Sequence, residues 1–179
     1  MKAINDFVAQ FNTSIPLDKS RVIKNRNRYY LLSKKLKQQI PKGFFYAGTY
    51  LGAMKGSSFF PSFLLLAMIA AHKINKLVVD KNTAWLFICG RDIFKKGIIT
   101  ESTLKKGDYT LILNEHNECL GFGKILFNLH EEVDKNKVAV KNILDIGDFL
   151  RREKRQSIHQ QGSRKLQKRD IKPKKSAHK

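Results

Sequence analysis

The last 29 residues, Arg151 to Lys179, hold 12 lysines and arginines against Glu153 and Asp170. Their apolar residues are Ile158, Leu166, Ile171 and Ala177, and there is no aromatic. A segment this charged and this poor in apolar surface cannot bury enough to offset its own conformational entropy, so it is expected to be disordered. Any core must therefore come from residues 1 to 150. The chain carries a net charge of +20, half of it in this tail and half before it. Charge at this density repels itself unless it meets a polyanion. Nucleic acid, which releases condensed counterions when it is neutralised, is the expected partner class.

The chain is 42% apolar and 10% aromatic, and residues 1 to 150 can bury one sizeable core or two small ones. The longest apolar run, Phe63 to Ala71, is nine residues, short of the roughly 20 that cross a bilayer, so no membrane partner is expected. An acid at Asp6 and the lack of an apolar core near it argue against a secretory signal. The expected location is the cytoplasm, or the nucleolus in a eukaryotic source. Cys89 and Cys119 form no CxxC or Cys/His cluster, so neither a disulfide framework nor a zinc site is expected. The sequence contains no GxSxG, GxxxxGK[ST], GxGxxG or HExxH, and the five histidines are scattered. Asp145 and Asp148 sit three apart, but Gly147 between them favours a turn and no base or metal partner is visible. The expectation is a non-enzyme with no cofactor and no small-molecule substrate.

Ile4, Phe7, Val8 and Phe11 recur at helical spacing behind Asn5 as a cap. Arg28 to Leu32 reads as a strand, and Ser33 can cap a helix over Lys34 to Gln39 that stops before Pro41. Phe44 to Ala47 has strand-like composition interrupted by Gly48, Gly52 and Gly56. Ser58 to Lys73 reads as an apolar helix with Pro61 in its first turn. From Lys76 the texture changes to short strands: Leu77 to Val79, Ala84 to Ile88, Tyr109 to Leu113, Leu120 to Phe127 and Val138 to Val140. Arg91 to Lys96 permits a short helix ended by Gly97, and Asn114 to Glu118 is a hairpin connection. Strands of this length and spacing suggest a closed or partly closed β-barrel. The expected class is α+β: an α/β unit over residues 1–75, a barrel over 76–155 and a disordered basic tail over 156–179.

The run Gly90 to Ile98, followed by Lys106-Gly107-Asp108 and Leu120-Gly121-Phe122-Gly123-Lys124, resembles a PUA domain, an RNA-binding pseudo-barrel found in pseudouridine synthases and archaeosine transglycosylases. Outside it, Gly48 to Gly52 before an apolar helix, Phe87 to Arg91, and Asp145 to Glu153 resemble the ribosome-assembly family called nuclear import protein seven. That resemblance covers roughly residues 1 to 155 and leaves out the lysine-rich extension. It implies an α/β amino-terminal domain before the PUA domain, no catalysis, and a role in pre-ribosomal RNA processing and large-subunit maturation, with protein assembly partners.

The resemblance places Gly90 and the short helix at the border of the RNA groove, where Arg91, Lys95 and Lys96 would stand beside phosphates. Gly121 and Gly123 read as a close backbone approach inside the barrel, with Lys124 as a further contact. Arg151, Arg152, Lys154 and Arg155 lie where the last barrel element meets the tail, so folded structure can aim at least the first pair. Arginine there can fork two phosphate oxygens, or instead form an ion pair with Asp148 or Glu153. Farther on, Arg164, Lys165, Lys168, Arg169, Lys172, Lys174 and Lys175 are spaced by small and polar residues, as in an arm that orders on its RNA target. Arg21, Lys24, Arg26, Arg28, Lys34, Lys35 and Lys37 form a second basic stretch around Tyr29 and Tyr30, two tyrosines that read as half-buried core. Trp85 and Phe87 read as barrel packing. The leading expectation is an RNA-binding assembly factor acting on pre-rRNA and large-subunit particles. The alternatives are an accessory that presents RNA to a separate modification enzyme and, last, a peripheral protein held on anionic lipid by its tail.

Overall fold

The structure is a computed structural model that describes residues 1–41, 43–44, 46–72, 74, 76–100, 103–148 and 151. The tail beyond Arg151, with its expected disorder, lies outside the described residues. In chain order the elements are α1 (Lys2–Ala9), β1 (Val22–Asn25), β2 (Arg28–Leu31), α2 (Lys34–Gln39), β3 (Thr49–Lys55), β4 (Ser58–Pro61), α3 (Phe63–Ala70), β5 (Lys76–Val78), α4 (Lys81–Ile88), β6 (Ile93–Phe94), β7 (Tyr109–Leu113), β8 (Cys119–Ile125) and β9 (Val138–Asp145), with 3-10 turns at Lys19–Arg21 and Lys95–Gly97.

The first four strands form an antiparallel sheet in the order β1-β2-β3-β4. Ser33 caps α2 by accepting from the Leu36 amide at 3.1 Å, as its position before Lys34 suggests. Three expectations are corrected here. Helix α1 begins at Lys2, so Asn5 lies inside it and caps nothing. The strand after Phe44 starts only at Thr49 and runs through Gly52, which faces Tyr29 where the register shifts between Tyr29 and Tyr30. Residues 58 to 61 are strand and not helix. Gly56 and Ser57 make a two-residue turn that pairs Lys55 with Ser58, and Pro61 ends β4, an edge strand that needs no donor there. Ser62 then caps α3, accepting from the Leu65 amide at 3.1 Å.

The second sheet runs β5-β7-β8-β9-β6, with β5 parallel to β7 and the other pairs antiparallel. Its two ends approach each other: Val79 bridges Ile98, the Ile99 amide donates to Val78 O at 2.8 Å, and the Asp80 amide donates to Gly97 O at 3.0 Å. The sheet is thus curled into a partly closed barrel. Ala84 to Ile88, expected as a strand, is helical. Asp80 accepts from the Thr83 amide at 2.7 Å, and this cap, with Ala84 and Phe87 buried one turn apart, outweighs the β preference of the aromatic run. Trp85 is 66% exposed on the outer face, which corrects its reading as barrel packing, whereas Phe87 is buried as expected.

The strands of the second sheet alternate between two cores. Ile112 and Leu120 turn inward with Leu77, Phe87, Ile93 and Val140. Leu111, Leu113 and Phe122 turn outward and pack with Ile4, Phe7, Phe11, Tyr29, Leu51 and the α3 residues Leu65, Leu66 and Ile69. Tyr29 and Tyr30 are core residues. The first sheet and its helices therefore share a core with the outer face of the second sheet.

Cys119, on β8, is partly buried with its Sγ 3.7 Å from Gly121 O, and burial pushes its thiol up; Cys89, at the end of α4, is exposed. Since the thiolate is the reactive form, iodoacetamide at pH 8 is expected to alkylate Cys89 first and Cys119 only as the protein unfolds. Mass spectrometry of timed samples reads this directly, and equal rates in the native protein would contradict the packing of β8.

Candidate nucleic-acid interface

The end of α4 organises the site. Gly90 has φ +88°, its amide donates to Phe87 O at 2.9 Å, and the Arg91 amide donates to Leu86 O at 3.0 Å. These two bonds make the left-handed helix cap that glycine accepts without penalty. The turn that follows is tied to β9: Asp92 accepts from the Asn142 amide and from Lys141 Nζ, each at 2.9 Å. Asn142 Nδ2 donates to Phe87 O at 2.9 Å and to Asp145 Oδ2 at 3.2 Å.

Arg151 closes this network. Its Nη2 donates to Asp145 Oδ2 at 2.6 Å, and its Nη1 donates to Ile88 O at the end of α4. The guanidinium also lies over Gly90, 3.3 Å from where a Cβ would stand. The hydrogen bond it donates to Asp145, whose side chain is 3% exposed, pushes the Arg151 pKa up further. Ion pairing is thus realised with Asp145, while Glu153 lies outside the described residues. Arg151 here fixes the point where the basic segment begins. Arg152, Lys154, Arg155 and the tail cations Arg164, Lys165, Lys168, Arg169, Lys172, Lys174 and Lys175 lie outside the described residues.

From that point cations follow β6, the last strand in the sheet order. Arg91 is exposed; Lys141 follows beside Asp92; Phe94 is 42% exposed. Beyond Phe94 the Lys95 and Lys96 amides pair with Lys137 O and Lys135 O, which sets four lysines together. Lys95 Nζ donates to Glu131 O, and Lys96 Nζ donates to Asn136 Oδ1 at 3.0 Å. Glu131, Glu132 and Asp134 share that loop, so the cationic surplus along the edge is moderate. Arg91 to Lys96 is a two-residue strand and a 3-10 turn where a short helix was expected.

Lys124 belongs to the same surface from the other side. Strand register sets Tyr109 opposite Lys124 and Lys124 opposite Lys141, so the three side chains share one face. Lys135, Lys137 and Lys141 were missed by sequence reasoning, because their place on this surface depends on the pairing of β9 and the loop before it with β6, β8 and the turn after β6. Gly121 and Gly123 are close-approach positions, as expected. A Cβ on Gly121 would stand 2.0 Å from Leu144 O, and one on Gly123 would stand 2.7 Å from Lys141 O.

Replacing Arg151 with alanine leaves Asp145 buried and unpaired. We expect a loss on the order of 2 kcal/mol, below the roughly 3–5 kcal/mol of a fully buried pair because the Arg151 side chain is 35% exposed. Asp145→Asn combined with Arg151→Ala should lose clearly less than the two single losses together in urea denaturation. Simple additivity would contradict the pairing.

Residues 75–154 match the family described as UPF0113 PUA domain. A UPF0113 protein of Archaeoglobus fulgidus is 28% identical over 111 residues, covering 61% of this chain and 63% of that relative, so the chain spans less than two thirds of the curated relative it matches. A conserved PUA domain protein from Thermoplasma acidophilum has a similar structure, with a TM-score of 0.54 and 17% identity over 85% of this chain and 92% of that one. A hypothetical protein from Pyrococcus horikoshii matches with a TM-score of 0.49 and 18% identity over 80% of this chain and 90% of that one. The curled second sheet with its helices fits a PUA-type domain.

Proposed function

We propose that this chain binds RNA along the β6 edge of its PUA-type domain and acts in the maturation of the large ribosomal subunit, on ribosomal RNA or its precursor. The carrying observation is the position of Arg151. Held by Asp145 and Ile88 O beside Gly90, it starts the +10 segment at the same end of the edge that presents Arg91 and Lys141. PUA domains generally bind RNA, and the folded edge and the basic segment then act on one backbone: the edge selects shape and the segment supplies attraction. The ribosomal role rests on the sequence resemblance to the nuclear import protein seven family over residues 1 to 155. No membrane role is part of this reading; no helix among the described residues is long and apolar enough to cross one. The proposed setting is the cytoplasm, or the nucleolus in a eukaryotic cell.

The test is a salt titration of the full chain against a large-subunit ribosomal RNA fragment. Lys95→Ala with Lys96→Ala should lower the slope of log K against log salt by about 0.7 to 0.9 for each phosphate that is no longer neutralised. An unchanged slope removes the edge from the interface. Sedimentation separates the ribosomal role from RNA binding as such: the protein should travel with precursor large-subunit particles. Migration with an RNA-modifying enzyme, away from those particles, would contradict it.

A further inference from the structure

A cavity of about 820 Å³ lies away from the β6 edge, in the cleft between the two sheets. One wall is built from α1 and the β3–β4 hairpin, the other from Tyr109, Phe122 and Ile143 of the second sheet. Its rim repeats one pairing twice: Lys24 Nζ stands 5.8 Å from the centre of the Tyr29 ring, and Lys124 Nζ 5.7 Å from Tyr109. Tyr29 is buried, but Phe59 and Tyr109 are half-buried and Ile143 is 47% exposed, so apolar surface reaches solvent beneath a cationic margin. Lys2 adds a further cation on the α1 wall, and Asp6 is the one carboxylate among the described lining residues.

We infer that this cleft takes an unpaired stretch of RNA, its bases against Phe59 and Tyr109 and its phosphates against Lys2, Lys24 and Lys124. The inference rests on the RNA-binding reading above and deepens it. Aromatic faces supply stacking that tolerates any base, while lysines at their margin follow the backbone. A duplex already stacks its own bases and gains little from such walls. The cleft is also continuous with the edge, since Tyr109, Lys124 and Lys141 face one another across β7, β8 and β9, and Lys141 is bonded to Asp92 beside β6. One RNA strand can therefore leave a paired region at the edge and enter the cleft.

The experiment uses the full chain, a 12-nucleotide oligouridine containing 4-thiouridine, and a blunt 12-base-pair RNA duplex. Irradiation should join the oligouridine to peptides containing Phe59 or Tyr109. Tyr109→Ala with Lys24→Glu should weaken oligouridine binding about tenfold while changing duplex binding less than twofold. Lys24→Glu alone, at an exposed position, should weaken oligouridine severalfold without altering the melting temperature, which guards against a folding artefact in the double variant. Equal oligouridine binding by all three proteins, with crosslinks elsewhere, overturns the cleft and leaves RNA binding at the edge standing. Failure of the unsubstituted chain to bind either RNA overturns both.

Discussion

Phe122 is the residue on which the two halves of the chain meet. It sits on β8, in the middle of the second sheet, yet its ring lies 5.5 Å from Phe7 and 5.8 Å from Phe11, both edge-to-face, and 6.2 Å from Tyr109. Phe7 in turn meets Phe59 at 5.6 Å, and Phe59 meets Tyr29 at 5.8 Å. This chain of rings passes from β8 through α1 to the first sheet without a polar break. Edge-to-face pairs contribute about 0.5–1.5 kcal/mol each beyond the burial itself. Helix α1 has too few residues to stand alone in water, and a four-stranded sheet with one apolar face needs a cover. The outer face of the PUA-type sheet stabilises both.

That arrangement has a consequence for binding. The sheet is covered on both faces over most of its area, so the surfaces left for a ligand are its β6 edge and the margin where the two units diverge. The cations lie on both. At the edge they also answer a structural problem, because a short strand flanked by Arg91 and Lys95 resists pairing with another chain. The Arg151–Asp145 pair joins α4, β9 and the start of the basic segment, giving that concentration of charge a defined origin on the fold.

Local signals made several elements legible in the sequence. Ser33 fixed α2, and the alternation of Tyr109 to Leu113, the polar Asn114 to Glu118 and the return run from Leu120 marked the β7–β8 hairpin. Misreadings arose where composition competed with a cap. Trp85 to Ile88 has strand-like residues, but Asp80 starts a helix there; Pro61 suits a helical first turn, but it equally suits the end of an edge strand. At the site, Gly90, Arg91, Lys95, Lys96 and Lys124 could be proposed from the sequence because the PUA-like pattern is nearly contiguous. Lys141 and the structural bond of Arg151 could not, since both depend on which strand lies beside β8 and on the burial of Asp145, contacts that join residues far apart in the chain.

The shared core is the central claim, and native-state hydrogen exchange in increasing urea tests it most directly. If the ring chain makes one cooperative body, amides of Tyr30 and Leu51 in the first sheet and of Ile112 and Phe122 in the second should converge on one opening free energy with one urea dependence. A first sheet that opens at markedly lower free energy and with a smaller urea dependence, while the second stays protected, would contradict it.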